Sequence, residues 1–155
     1  MARKGKTPSE SETLKTEVVC PDDSNPLGIL LGGRLIEWMD MAAAVTAQLH
    51  SGMICLTVSI DKVKFLNSAR VGDIVLVRSK IHRSFNTSME IGLEANVKNI
   101  IDGTNVPICK ALFYFVISGK EGKNNFLPEV VPETDDEIHK YNEALKNRSN
   151  NEYDS

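Results

Sequence analysis

Asn25-Pro-Leu-Gly28-Ile-Leu-Leu-Gly32-Gly33-Arg34-Leu-Ile-Glu-Trp-Met-Asp40 is the stretch whose reading decides the fold. Gly32-Gly33 breaks what precedes it. No proline interrupts Arg34 to Leu49, and Ser51-Gly52 supplies a stop, which gives a helix of about four to five turns. Leu35, Ile36, Trp38 and Met39 precede Asp40, and Met41, Ala42, Ala43, Ala44, Val45, Thr46 and Ala47 follow it, so apolar residues occupy almost the whole circumference. Such a helix reads as buried, not amphipathic. An ionised carboxylate in that setting is costly unless it is hydrogen-bonded, paired or at the edge of a solvated pocket. Asp40 therefore reads either as a functional acid or as a structural partner of Arg34, since Arg34, Glu37 and Asp40 fall at i, i+3 spacing.

On the N-terminal side of this helix, residues 1–12 read as a disordered lead and Leu14 to Val19 as a short strand. On the C-terminal side the period changes to two: Ile54, Leu56, Val58 and Ile60 alternate with Cys55, Thr57, Ser59 and Asp61. The parity then shifts to Val63 and Phe65, which predicts a bulge near Asp61-Lys62. Thr57 and Ser59 read as half-buried β-formers on one strand face. Gly72-Asp73 turns the chain into a strand from Ile74 to His82, Arg83 to Thr87 connects it to another from Ser88 to Ile100, and Asp102-Gly103 is a hairpin signal. In the last strand, Pro107 to Ser118, Ala111, Phe113, Phe115 and Ile117 face one way and Leu112, Tyr114 and Val116 the other. One helix covers one face of a sheet, so the second apolar face points to self-association. Thr134-Asp-Asp-Glu137 forms a capping box for a C-terminal helix of about 135–147 with Ile138, Tyr141 and Leu145 as its apolar stripe, and 149–155 read as disordered. The class is α+β, an antiparallel sheet curled around one long central helix.

A chain of 155 residues is one domain by size. Its 18 basic and 21 acidic residues leave a net charge of -3, with no basic run to track a phosphate backbone, so nucleic acid is not an expected partner. The first 15 residues hold no apolar segment and no later stretch has the length of a membrane span, so a cytoplasmic protein is expected. Cys20, Cys55 and Cys109, with His50, His82 and His139, make no metal-ligand spacing, and no metal is expected.

Pro21-Asp-Asp-Ser-Asn25, Gly28, Leu31-Gly32-Gly33, Glu37-Trp-Met-Asp40, His50-Ser51, Thr57-Val-Ser-Ile-Asp61, Phe65, Val71-Gly-Asp73 and Thr87-Ser-Met-Glu90 follow one another in a recognisable order. Over residues 13–148 the chain resembles the hot-dog-fold acyl-CoA thioesterases, in particular the brain-type cytosolic acyl-CoA hydrolases and their short bacterial relatives. The resemblance implies hydrolysis of acyl-CoA to free fatty acid and coenzyme A by a dimer with sites at the subunit interface, in a family where hexamers, as trimers of dimers, are common. It implies no cofactor beyond the coenzyme A of the substrate itself. The family's catalytic asparagine falls on Asn25 and its catalytic acid on Asp40. Leu31, Ser68 and Asn86 depart from the family's usual residues.

Thioester hydrolysis must stabilise charge growing on a carbonyl oxygen. The first free N–H groups of a helix can do so, and glycine at 32 and 33 lets a substrate carbonyl approach that backbone. Asp40 lies seven residues past Gly33, ~10 Å along the same helix. It cannot reach a carbonyl held at its own helix N-terminus, so it must serve a partner's, across a two-fold interface. Asp40 is then general base or nucleophile, and Asn25 positions water or thioester. Coenzyme A carries phosphates, for which Arg83-Ser84-Phe85-Asn86-Thr87-Ser88, with Lys80 and Arg78 nearby, is the candidate path; Arg83, Ser84, Asn86, Thr87 and Ser88 are the expected contacts. His50 is expected to interact with the last helix carbonyls, and His82 to be structural. Two alternatives stand beside this reading: an acyl-CoA-binding regulator, for which no DNA-binding segment precedes residue 13, and a hydratase or dehydratase, which wants a histidine near Asp40.

Overall fold

The computed structural model describes residues 4–119 and 126–149. Five strands, β1 (Thr13–Val18), β2 (Cys55–Phe65), β3 (Ile74–Ser84), β4 (Ser88–Lys98) and β5 (Asn105–Ile117), form one antiparallel sheet in the order β1-β3-β4-β5-β2. Helix α1 (Gly32–Ser51) packs against all five strands, and α2 (Asp135–Ser149) lies against β3. This is the α+β layout read from the sequence.

One face of α1 is buried through Leu35, Trp38, Met39, Ala42, Ala43, Thr46, Ala47 and His50. It meets Val75, Val77, Ile91, Leu93, Phe113 and Phe115 in the core. The opposite face of the helix is apolar but open: Met41, Val45 and Leu49 are each about half exposed. The helix is thus not enclosed all round, contrary to the reading from composition. An apolar stripe on the free side of a helix is what a second protein surface covers.

The sheet's other face also departs from expectation. Tyr114 of β5 is buried, its hydroxyl donating to Glu90 Oε1 at 2.6 Å, and Asn147 of α2 donates to the same oxygen at 3.0 Å. Tyr114 is thus closed off at α2, while Leu112 and Val116 on the same face stay half-buried, and large apolar side chains are more open on β2 and α1. Leu56, Val58 and Ile60 on the edge strand β2, and Ile54 just before it, are all exposed, and an open, apolar sheet edge is a template for another strand. Ile138 and Leu145 of the apolar stripe on α2 are exposed as well.

β2 carries the expected irregularity between Asp61 and Lys64, where Lys62 adopts φ 53°. It carries a second one between Thr57 and Ser59. Residues 4–12, read as a disordered lead, instead form a bridge from Lys6 to Val130 and a short 3-10 turn, Pro8–Glu10. Residues 1–3 and 150–155 lie outside the described residues.

Candidate active site

Asn25 opens the tight loop that leads into α1. Its Oδ1 accepts from the backbone N–H of Leu27 (2.9 Å) and of Ile29 (3.1 Å). Two backbone donors on one atom fix the amide orientation. The Asn-Pro turn thus uses the oxygen, and the NH2 has no partner among the described residues.

The loop delivers the chain to α1 without a cap. Leu31 at the N-cap makes no side-chain hydrogen bond, and the first N–H bonding back is Leu35 to the Leu31 carbonyl at 3.1 Å. The N–H groups of Gly32, Gly33 and Arg34 precede that bond, where a helix has no internal acceptor to offer. Both glycines are exposed. The two differ in surroundings: a Cβ on Gly33 would meet nothing within 4 Å, whereas one on Gly32 would lie 3.3 Å from the ring of Phe65. Gly32 therefore admits the Phe65 ring, and Gly33 leaves the backbone open to a ligand.

Two turns further on, Asp40 is half-buried beside β2. Thr57 Oγ1 donates to Asp40 Oδ1 at 2.7 Å. The irregularity after Thr57 separates it from Ser59, which instead donates to Asp61 at 2.8 Å. The bulge re-aims one side chain and breaks the alternation that had put the two hydroxyls on one face. Thr57 is the site residue that sequence reasoning missed; a threonine in an alternating strand carries no signal of a partner seventeen residues away.

The proposed nucleotide segment is elsewhere in the protomer. Arg83 donates to the Tyr141 carbonyl at 3.1 Å and stacks 3.9 Å over the Tyr141 ring, and Arg148 lies 4.2 Å over Phe85. Ser84 donates to the Pro128 carbonyl at 2.6 Å, Asn86 is exposed and its carbonyl accepts from Leu127, the Thr87 carbonyl accepts from Ile117, and Ser88 is buried. His50 Nε2 donates to the same Pro128 carbonyl at 2.7 Å, which places this hairpin at the C-terminal end of α1. His50 does not turn back to its own helix carbonyls, as the sequence had suggested. From Gly33 to His50 the helix advances about 26 Å, so one protomer does not bring the hairpin and the glycines together. His82 Nδ1 donates to Glu90 Oε2 at 2.8 Å. Burial alone would raise the Glu90 carboxyl, but hydrogen bonds from His82, Tyr114 and Asn147 outweigh it and hold the group below the usual range.

Two cavities accompany these groups. One of about 220 Å³ adjoins Gly32 and is lined by Ile29, Leu35, Phe65, Ser68, Ala69 and Ile108, among others. A larger one, about 410 Å³, lies on the outer sheet face beneath α2 among charged side chains; Arg78 and Lys80 line it, paired with Glu12 and Glu137, while Asn25, Gly32, Gly33, Asp40 and the Arg83–Ser88 hairpin do not. Among the described residues no cluster of His, Cys, Asp and Glu could hold a metal, and no helix is long and apolar enough to cross a membrane.

A thioesterase superfamily model matches residues 27–100. The chain is 31% identical over 137 residues to the uncharacterised acyl-CoA thioester hydrolase YkhA of Bacillus subtilis, covering 88% of this chain and 80% of that one. This chain belongs to the acyl-CoA thioester hydrolase family. It is also 32% identical over 142 residues to the acetyl-coenzyme A thioesterase of Rattus norvegicus, covering 92% of this chain but 26% of the rat protein. The chain thus spans about a quarter of the length of such mammalian relatives. Among solved structures, it is similar to the acyl-CoA hydrolase of Staphylococcus aureus in complex with butyryl coenzyme A, coenzyme A and coenzyme A disulfide. That match has TM-score 0.87 and 30% identity and covers 94% of this chain and 88% of that one. The same enzyme is known as single alanine variants at an asparagine, an aspartate and a threonine. A hexameric acyl-CoA thioesterase matches with TM-score 0.89 at 30% identity, covering 96% and 95%.

Proposed function

We propose that this protein hydrolyses acyl-CoA to free fatty acid and coenzyme A, at sites that two copies of the chain share, and that it does so in the cytoplasm without metal or cofactor. The observation that carries the reading is the Thr57 to Asp40 hydrogen bond, 2.7 Å long, on the same helix whose uncapped N-terminus begins at Gly32. In the Staphylococcus aureus enzyme the asparagine, aspartate and threonine chosen for replacement are spaced by fifteen and then seventeen positions, the spacing of Asn25, Asp40 and Thr57.

The roles in this reading fit the geometry. The Gly33 N–H, at the positive end of the helix dipole, receives the thioester oxygen as it becomes an oxyanion. Thr57 holds one oxygen of Asp40 and leaves the other to take a proton from the attacking water. Water oxygen bonds to the carbonyl carbon, the carbon–sulfur bond breaks, and the proton leaves with the coenzyme A thiol. The Asn25 NH2 is a donor only, because its oxygen is held by the turn, so it binds the carbonyl or the water oxygen.

A rise of ~10 Å from Gly33 to Asp40 requires that the two groups of one site come from different copies. Antiparallel α1 helices related by a two-fold axis provide this, and the open apolar faces of α1 and β2 are the surfaces such a pairing would cover. The same pairing carries the partner's α1 C-terminus, and with it the Arg83–Ser88 hairpin, about 15 Å beyond its Asp40, on the side from which coenzyme A would enter. Further assembly into a trimer of dimers is the next step of this reading.

The test is a screen of acyl-CoAs from acetyl to palmitoyl with detection of released thiol. Release from at least one of them, undiminished by a chelator, is the expected result. Binding without turnover assigns the chain to the acyl-CoA-binding regulators instead. A hydratase is not favoured, because His50 is turned to Pro128 and no other histidine lies beside Asp40 in the sequence.

A further inference from the structure

We propose that the 220 Å³ cavity beside Gly32 is the acyl-chain pocket and that Phe65 and Ser68 set the chain length this enzyme accepts. The inference rests on the thioesterase reading, which fixes where the carbonyl sits. From a carbonyl at the Gly33 N–H two arms leave, the acyl chain and the sulfur with its pantetheine. The pantetheine arm carries amides that need hydrogen-bond partners, and the acyl chain carries none. The cavity begins at Gly32 itself and is walled by Ile29, Leu30, Leu35, Phe65, Ala69 and Ile108. Its one side-chain amide, on Asn67, already donates to the Pro107 carbonyl at 2.7 Å. That lining suits a hydrocarbon.

Phe65 is the adjustable wall. Its ring lies against Gly32, close enough that a Cβ there would press on it, and the residue is 57% exposed. A large aromatic side chain left open beside a cavity gains by being covered, and a chain running from Gly33 into the cavity would cover it. Ser68 stands on the exposed rim. The cavity, about 220 Å³, is large enough to take the carbons nearest the carbonyl. Each buried methylene contributes about a fourfold gain in kcat/KM.

The experiment is the kcat/KM profile against acyl length for the wild type, Phe65→Ala and Ser68→Leu, with size-exclusion chromatography of each. In the wild type kcat/KM should rise about fourfold per methylene and then level off where the cavity ends. Phe65→Ala should move the break to longer chains and Ser68→Leu to shorter ones. Opposite shifts from two variants cannot come from a general loss of folding. A profile unmoved by either change overturns the pocket while leaving the thioesterase reading intact. Equal loss at every length, with weaker inhibition by coenzyme A, assigns the cavity to the pantetheine arm and overturns it too. Loss of wild-type assembly in Phe65→Ala makes Phe65 an interface residue, again against the proposal. A wild type that hydrolyses no acyl-CoA overturns both readings together.

Discussion

At its C-terminal end α1 is tied off, whereas at its N-terminal end it is left open. Gly52 takes the left-handed conformation, φ 69°, and its N–H returns to the Gln48 carbonyl at 2.8 Å. Lys6 donates to the Leu49 carbonyl at 3.0 Å, and the fully buried His50 holds the Pro128 carbonyl. At the other end Leu31 offers no side-chain acceptor, two exposed glycines follow, and a cavity adjoins them. Ends of a helix carry equivalent deficits of hydrogen bonds. Where the chain satisfies them, the end anchors the fold; where it does not, the end is free to bind charge from outside.

The contrast predicts activity losses with little loss of stability at the open end, and the reverse at the closed end. The largest effect is expected for Asp40→Asn, which removes the proton acceptor: kcat should fall by about 10²–10⁴-fold with coenzyme A binding retained, as stopped-flow turnover and calorimetry would show. Thr57→Ala should come next. Losing a hydrogen bond to a charged group is worth about 1.5–3 kcal/mol, so kcat should drop by about 10- to 150-fold if that energy is felt in the transition state.

Gly33→Ala separates the two properties most sharply. No atom of the chain crowds a Cβ at this position, and alanine favours the helix by ~0.5–1 kcal/mol. Thermal unfolding should show an equal or higher Tm, while kcat/KM falls by about tenfold or more because the methyl group keeps the carbonyl from the backbone. A variant as active as wild type would mean that this end of the helix is a plain turn.

The smallest effect on activity belongs to the closed end. Burial pushes the His50 imidazole below its ordinary value of 6.5, and the hydrogen bond to Pro128 opposes this only in part. The unfolded chain therefore gains a proton near pH 6.5 that the folded chain refuses. Stability from this group is complete above that pH and declines as pH falls below it. Urea titrations at pH 7.5 and pH 5.5 should show that decline in the wild type and a smaller one in His50→Gln, with turnover per folded molecule unchanged.

Local rules made the open end readable. Gly-Gly before an unbroken apolar helix, an aspartate two turns in, and Asn-Pro at the loop start are all short-range signals, as is the bulge that Lys62 marks with its positive φ. What sequence did not reveal depends on distant contacts. Thr57 acquires its partner seventeen residues back in sequence, at a register shift in β2 that separates it from Ser59. His50 meets a carbonyl 78 residues away, and Lys6 one 43 residues away, so residues 4–12 looked like a loose lead. Tyr114 looked open because nothing local announces that Asn147 of α2, 57 residues from Glu90, reaches the same carboxylate.

The sharing of each site between two copies is tested most directly by mixing. Asn25→Ala and Asp40→Ala homodimers should each be nearly inactive, since every site in them lacks one group. Co-expressed with different tags and purified through both, they give mixed dimers in which one site has lost both residues and the other neither. Those dimers should turn over acyl-CoA at about half the wild-type rate, and the unfractionated mixture, half of it mixed by random pairing, at about a quarter. Verified mixed dimers with no more activity than the two parents would place Asn25 and Asp40 in one protomer's site and contradict the account.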